Sequence, residues 1–255
     1  MSRALPVRNI SQRDRLSQVN WDRLSTLRTN ILAKYPDKFG LVYNPTFYPY
    51  DLDIILDKTH HTATQNPGLH IVNWGRVSTY TPTVFYMRIG EEDANMNHAL
   101  LGIYFPSENM FDIVSTYSID IDTLLCLSNF FTNLSGTPMI VNDVACLADN
   151  PRKLRSERCY NLQGEDTADI GWCVAWMVRL SEVLASKSNE EFWGREWVVR
   201  RQVYKTTYDQ FLSIPGFNSM EVGKQLWNDI ISKHIGGKRK RTRKLKRKSR
   251  RRART

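Results

Sequence analysis

The sequence predicts an α+β fold, and three observations carry that expectation. Short runs rich in β-branched and aromatic residues succeed one another through the middle of the chain, separated by turn residues. Apolar residues at helical spacing dominate the C-terminal half. Strands come mostly before helices, without the regular alternation that a doubly wound parallel sheet requires. A length of 255 residues suits one large domain or one and a half, with room for a substantial core.

Taken in order, residues 1–19 are polar, mixed in charge and expected to be mobile, with no apolar run of the kind a secretory signal needs. A helix is expected over Asn20–Lys34, with Trp21, Leu24, Leu27 and Ile31 on one face and Pro36 closing it. Residues up to 68 then mix Pro45, Pro49 and Pro67 with Tyr43, Phe47, Tyr48 and Tyr50, a pattern of irregular structure or edge strands. The adjacent His60 and His61 cannot share one face and read as surface residues. A main domain is expected over 69–235. It opens with strands at Leu69–Val77, Thr83–Ile89 and Ala99–Phe105. Pro106–Asn109 is a turn, and Met110–Tyr117 returns to form a hairpin. Asp122 then caps a short helix over Leu124–Thr132. Further strands are expected at Pro138–Val144 and Arg158–Gln163. Asn189–Ser213 carries Trp193, Trp197, Tyr204, Tyr208 and Phe211 in a pattern of helical packing. A last helix begins near Ser219 and ends at Gly236-Gly237.

The net charge of +10 is not spread over the chain. The tail over 236–255 contains Lys238, Arg239, Lys240, Arg241, Arg243, Lys244, Lys246, Arg247, Lys248, Arg250, Arg251, Arg252 and Arg254 and no acid. These thirteen of the 36 Lys and Arg leave 23 basic against 26 acidic residues in the body, a net charge of −3. Like charges and few apolar residues keep such a tail from forming a core, so it is expected to be disordered. Neutralising many phosphates would give salt-sensitive, sequence-indifferent nucleic-acid binding, and a nuclear-localisation signal fits the same residues. No apolar run is long enough to span a bilayer, so no membrane is expected. Cys126, Cys146, Cys159 and Cys173 include no C-x-x-C pair, which argues against a zinc site or a redox dithiol, and no metal or cofactor is implied. Without an export signal, the thiols are expected to stay reduced.

One stretch stands out chemically. Cys173, Trp176, Met177, Leu180 and Leu184 follow the i, i+3, i+4, i+7 spacing of a helix face, opposite Arg179, Glu182 and Ser186. Cys173 therefore lies in the first turn, where unpaired N–H groups and the positive dipole end favour a thiolate. The same spacing also suits a small buried core residue. Upstream, a turn centred on residues 107 and 108 pairs positions summing to about 215, which sets His98 opposite Tyr117. Asp120 follows just beyond the strand, while Asp112 pairs near Ile103, roughly 17 Å from His98 at strand rise. Asp120 is thus the better carboxylate to orient His98, with Asp122 second, and both could instead cap a helix.

The order His98, an acid after the next strand, Gln163, and then Gly171-Trp172-Cys173-Val174-Ala175-Trp176 at a helix start resembles Ulp1-like and adenovirus-protease-like cysteine proteases. The likeness is to divergent members of nucleocytoplasmic large DNA viruses and covers roughly Leu69–Ile235. It implies a papain-like/Ulp1-like fold, a mixed sheet packed on the nucleophile helix. It further implies Cys173 as nucleophile, His98 as general base and then acid, and Asp120 fixing the His98 tautomer. Gln163, with the Cys173 N–H, would stabilise the oxyanion, worth about 3 kcal/mol per donor.

The implied substrates are virion polyproteins or ubiquitin-like conjugates cut at Gly-Gly-type sites, in the host cytoplasm at the virus factory and in the virion, with the nucleus reachable through the tail. Gly236-Gly237, directly before the tail, is itself such a sequence, or else a helix-capping pair. Ala99, Val174 and the interval from Gln163 to Cys173 depart from the family pattern. They leave open a catalytically inactive relative acting as a DNA-associated virion structural or packaging protein, and also a nucleic-acid-binding protein unrelated to proteases.

Overall fold

The computed structural model describes residues 51–66, 72–91, 98–146, 159–162, 173–215, 221, 222 and 225. The expected helix over 20–34, residue Gln163, the Gly236-Gly237 pair and the basic tail lie outside them.

Among the described residues, six strands form one mixed sheet: β1 (Asp51–Asp57), β2 (Thr62–Gln65), β3 (Thr83–Glu91), β4 (His98–Phe105), β5 (Met110–Val114) and β6 (Ile140–Asp143). Their order across the sheet is β2-β1-β3-β4-β5-β6. The β1–β3 and β5–β6 pairs are parallel and the others antiparallel. Three α-helices are delimited among the same residues: α1 (Ile121–Ser135), α2 (Cys173–Ala185) and α3 (Trp197–Leu212). The class is α+β.

Why these strands form is written in their burial. β4 is HALLGIYF, and all of it beyond His98 is buried. A strand covered on one face would alternate; a strand covered on both reads as a continuous apolar run. Ala99, Leu101, Ile103 and Phe105 point to one side, with Val84, Tyr86 and Val114, against Trp176, Met177, Leu180 and Leu184 of α2 and Tyr204 and Tyr208 of α3. Leu100 and Tyr104 point to the other, with Leu52, Ile54, Phe85, Met87, Phe111 and Ile113, against Leu127, Phe130 and Phe131 of α1. Gly102 sits where Phe111 crosses the sheet. A Cβ there would come within 2.5 Å of both the Met87 sulfur and the Phe111 ring, so only glycine fits. Phe111 in turn stacks on Phe131 at 3.8 Å.

Several expectations are met at residue level. The β4–β5 register sets Leu101 against Val114 and Ile103 against Asp112, the pairing sum of 215. Asn109 closes the turn in the left-handed region at φ 49°, which asparagine tolerates. The buried stripe of α2 contains Cys173, Trp176, Met177, Leu180 and Leu184, and is widened by Val178, Ser181 and Ala185. The Tyr86 and Ser181 hydroxyls meet at 2.9 Å across it.

Other expectations are corrected. The sheet starts before residue 69, because β1 is an interior strand between β2 and β3 and is held by both. Within the strand expected at 69–77, Trp74–Arg76 is a 3-10 turn, pinned by the Asn73 side chain accepting from the Gly75 N–H. The return strand ends at Val114, and within the described residues 159–162 of the strand expected at 158–163, Asn161 makes only an isolated bridge to Tyr117. Helix α1 is capped by Asp120, not Asp122, because the Asp120 carboxylate accepts the Thr123 N–H at 2.8 Å. Cys146 and Cys159 form a disulfide with Cα atoms 4.1 Å apart, against the expectation of reduced thiols.

Candidate functional site

Cys173 is the first residue of α2, and that helix packs against β4. It is 6 % exposed, in a cluster that includes Ala99, Val114 and Leu162. The apolar stripe that drives α2 into the sheet is what fixes the thiol at the helix start. His98 is the first residue of β4, opposite Tyr117 in the extended register, and its ring stacks on Tyr117 at 4.4 Å between centroids. Tyr117 also feels Cys173. Burial, followed by the negative field of Cys173 and then of Asp120, pushes the Tyr117 phenol up to about 12, with Lys58 pulling the other way. Histidine and tyrosine therefore stack at one end of the sheet, within the electrostatic reach of Cys173.

The His98 ring has a specific hydrogen bond. Its Nε2 lies 2.8 Å from the Ser115 hydroxyl. Ser115 is 1 % exposed, and its carbonyl accepts the Tyr208 hydroxyl, so the residue is held from α3. His98 is half-buried, and the desolvation of its ring pushes its pKa down to about 4. The imidazole is neutral at neutral pH. A neutral ring can accept a proton, but it offers no standing cation to hold a thiolate.

Asp120 stands apart from this ring. One of its carboxylate oxygens accepts the Thr123 N–H, and the other accepts the Thr123 hydroxyl at 2.8 Å and the Lys58 ammonium at 3.1 Å. Burial works against its charge, but the Thr123 and Lys58 hydrogen bonds outweigh it and hold its pKa below the ordinary carboxylate value. Lys58 bridges on to Glu91 at 3.1 Å. Asp122 lies in the first turn of α1, 3.9 Å from the His61 ring. The acid expected from the sequence thus caps a helix, and a serine meets His98.

Strand alternation adds a second point. Ala99 and Leu101 share the Cys173 cluster, while Leu100 belongs to the opposite face of the sheet. His98, two residues before Leu100, starts on the α1 side, and Cys173 approaches from the α2 side. Tyr117, near the end of the strand pair, stacks on His98 and feels the charge of Cys173.

The segment 159–162 fastens this corner. Leu162 N–H donates to the Thr116 carbonyl at 2.7 Å, and Tyr160 N–H donates to the Ala145 carbonyl at 2.7 Å. Tyr160 stacks on Tyr208 at 4.9 Å and donates its hydroxyl to Asp209.

A second polar cluster lies under α3, away from the cysteine. Asp112 and Arg200 are both fully buried and paired, with the Arg200 Nε 3.3 Å from the carboxylate. Asn142 and Tyr204 donate to Asp112 at 2.8 and 2.9 Å, and Arg200 also bonds Glu108 and lies 3.5 Å above the Phe105 ring. Burial raises the Asp112 pKa even against those partners. Every strong donor there has an acceptor, so the cluster ties α3 to the sheet. A cavity of about 450 Å³ lies at the far end of β4, lined by Tyr80, Pro82, Pro106, Asn189, Trp193 and Arg195 among others.

Ser115 and Tyr117 are the residues to which the sequence alone assigns no role. The pairing sum of 215 was the available signal for Tyr117, and Ser115 lies two positions from it, within diagonal reach of His98. Among the described residues, no group of three or more His, Cys, Asp or Glu side chains could hold a metal ion, and no helix is long and apolar enough to cross a membrane. No family model matches the chain, and comparison with curated proteins and with solved structures finds no match.

Proposed function

We propose that the chain is a thiol peptidase of the Ulp1-like kind, with Cys173 as nucleophile and His98 as general base. The observation that supports the reading is that Tyr117 stacks on a histidine from the start of β4 and lies near enough to feel the charge of a cysteine that opens a helix packed on the same strand. In the proposed reaction the Cys173 sulfur bonds to the scissile carbonyl carbon, and its proton passes to the His98 nitrogen not engaged by Ser115. That proton then leaves with the amine as the C–N bond breaks. Water hydrolyses the thioester, restoring the thiol. Gln163 remains the proposed oxyanion donor, with the Cys173 N–H at the helix start. The proposed substrates are proteins with Gly-Gly-type sites, in virions or in ubiquitin-like conjugates, met in a virus factory or nucleus.

The test is mild, limiting alkylation near neutral pH, followed site by site by mass spectrometry, on the chain and on His98→Ala. Cys173 should label faster than Cys126 and slow by roughly 10²-fold in the variant, the lower range for general-base assistance. Labelling indifferent to His98 would overturn the proposal.

A second reading is favoured by two features of the same corner. Strand alternation places His98 on the face opposite the Cys173 cluster, and an imidazole pushed down to about 4 is a weak base for a thiol. These suit a catalytically inactive relative held to nucleic acid by its basic tail. Unassisted Cys173 together with salt-sensitive DNA binding would select it.

A further inference from the structure

We infer that Ser115, through its hydroxyl, is the positioning residue that sets the orientation and tautomer of His98, in the place where a carboxylate was expected. The inference rests on the peptidase reading for its functional meaning, but its geometry stands on four observations. The Ser115 hydroxyl lies 2.8 Å from His98 Nε2. The serine is buried at 1 % exposure, so its rotamer is not shared with solvent. Its backbone is clamped, since the Ser115 carbonyl takes the Tyr208 hydroxyl and the next residue's carbonyl takes the Leu162 N–H. The rival carboxylate is occupied, because both Asp120 oxygens serve Thr123 and one of them also serves Lys58.

A hydroxyl in this place has a chemical consequence that a carboxylate would not. Where it accepts from Nε2–H, it leaves the Nδ1 lone pair available as a base, and in either role it adds no negative charge beside the ring. Stacking on Tyr117 fixes the plane of the imidazole, and the Ser115 bond fixes its rotation within that plane. Together the two contacts leave the ring one orientation. The site is therefore built for a neutral histidine that takes a proton during attack, not for a resting thiolate–imidazolium pair.

The experiment uses the full chain. Nitrogen-15 NMR of histidine-labelled wild-type protein at neutral pH reads the tautomer directly, without a variant. His98 protonated on Nε2 is the expected result, and protonation on Nδ1 would overturn the inference. The alkylation rate of Cys173 is then compared across Ser115→Ala, Ser115→Thr and Asp120→Asn. Ser115→Ala should slow Cys173 by at least about tenfold, the wrong tautomer being costly to a base, and Thr should restore most of the rate. A larger loss in Asp120→Asn than in Ser115→Ala would return the role to the carboxylate. Failure of the peptidase reading looks different, since Cys173 would then be indifferent to His98→Ala while the wild-type tautomer would still report on Ser115.

Discussion

His98 shows how one side chain converts its surroundings into a dependence on acidity. Half-buried beside a hydroxyl and a phenol, its ring is desolvated, which pushes its pKa down to about 4 from the ordinary 6.5. The unfolded chain therefore takes up this proton first. Between pH 6.5 and about 4 the unfolded state binds more protons, so stability is full above 6.5, falls as pH drops through that window, and levels off below it. Urea midpoints at pH 7.5 and pH 5 should show a decline that is smaller in His98→Gln; an equal decline in both proteins would contradict the burial of this ring. Asp120 adds a loss at lower pH, because its carboxylate is held below the ordinary value and its cap is given up only as that group protonates.

At the scale of elements, α3 is the piece whose attachment is polar. Its inner side brings Arg200, Tyr204, Thr207 and Tyr208 into the interior, and Arg200 is fully buried against Asp112 of β5. Removing one member of such a pair leaves the other charge buried and uncompensated, which costs about 3–5 kcal/mol. Arg200→Ala should lower the denaturant midpoint by that measure, and Asp112→Asn added to it should recover part of the loss. A cost under about 1 kcal/mol would mean that water reaches the carboxylate.

This element also marks where legibility in the sequence ends. Strands β3 to β5 are visible as short β-branched and aromatic runs, the stripe of α2 by its helical period, and the 107–108 turn sets the β4–β5 register arithmetically. Arg200 and Asp112 are not visible as partners, since 88 residues separate two charges whose pairing is a tertiary event. The parallel seating of β1 beside β3 is equally hidden: the pattern of residues 40–67 describes edge material, and only the sheet makes β1 an interior strand. The exchange of Asp120 for Ser115 has the same origin. Sequence distance ranks carboxylates by reach, whereas the fold commits Asp120 to the nearest unpaired N–H groups, those of α1.

On the whole-molecule scale, charge is divided between a slightly acidic body and a tail with thirteen cations. If the tail is what meets nucleic acid, affinity should fall steeply with salt, log K changing by about −0.9 per phosphate neutralised on duplex DNA. Fluorescence anisotropy with two unrelated duplexes should give the same steep slope for both, and removal of residues 238–255 should abolish it. A shallow slope, or a preference for one sequence, would assign binding to the body instead. The described body rests on a sheet covered by helices on both faces.

The hairpin of β4 and β5 also works as a ruler. Its zero is the Pro106–Asn109 turn, and the marks run along the paired strands to Leu101 and Val114 and on, in the same count, to His98 and Tyr117. One residue inserted at the zero and taken up by the pairing would slide every mark, bringing Thr116 opposite His98 and turning Tyr117 to the other face. A loop with no chemistry of its own thereby dictates which ring covers the histidine, and a length change there is a mutation of the distant corner.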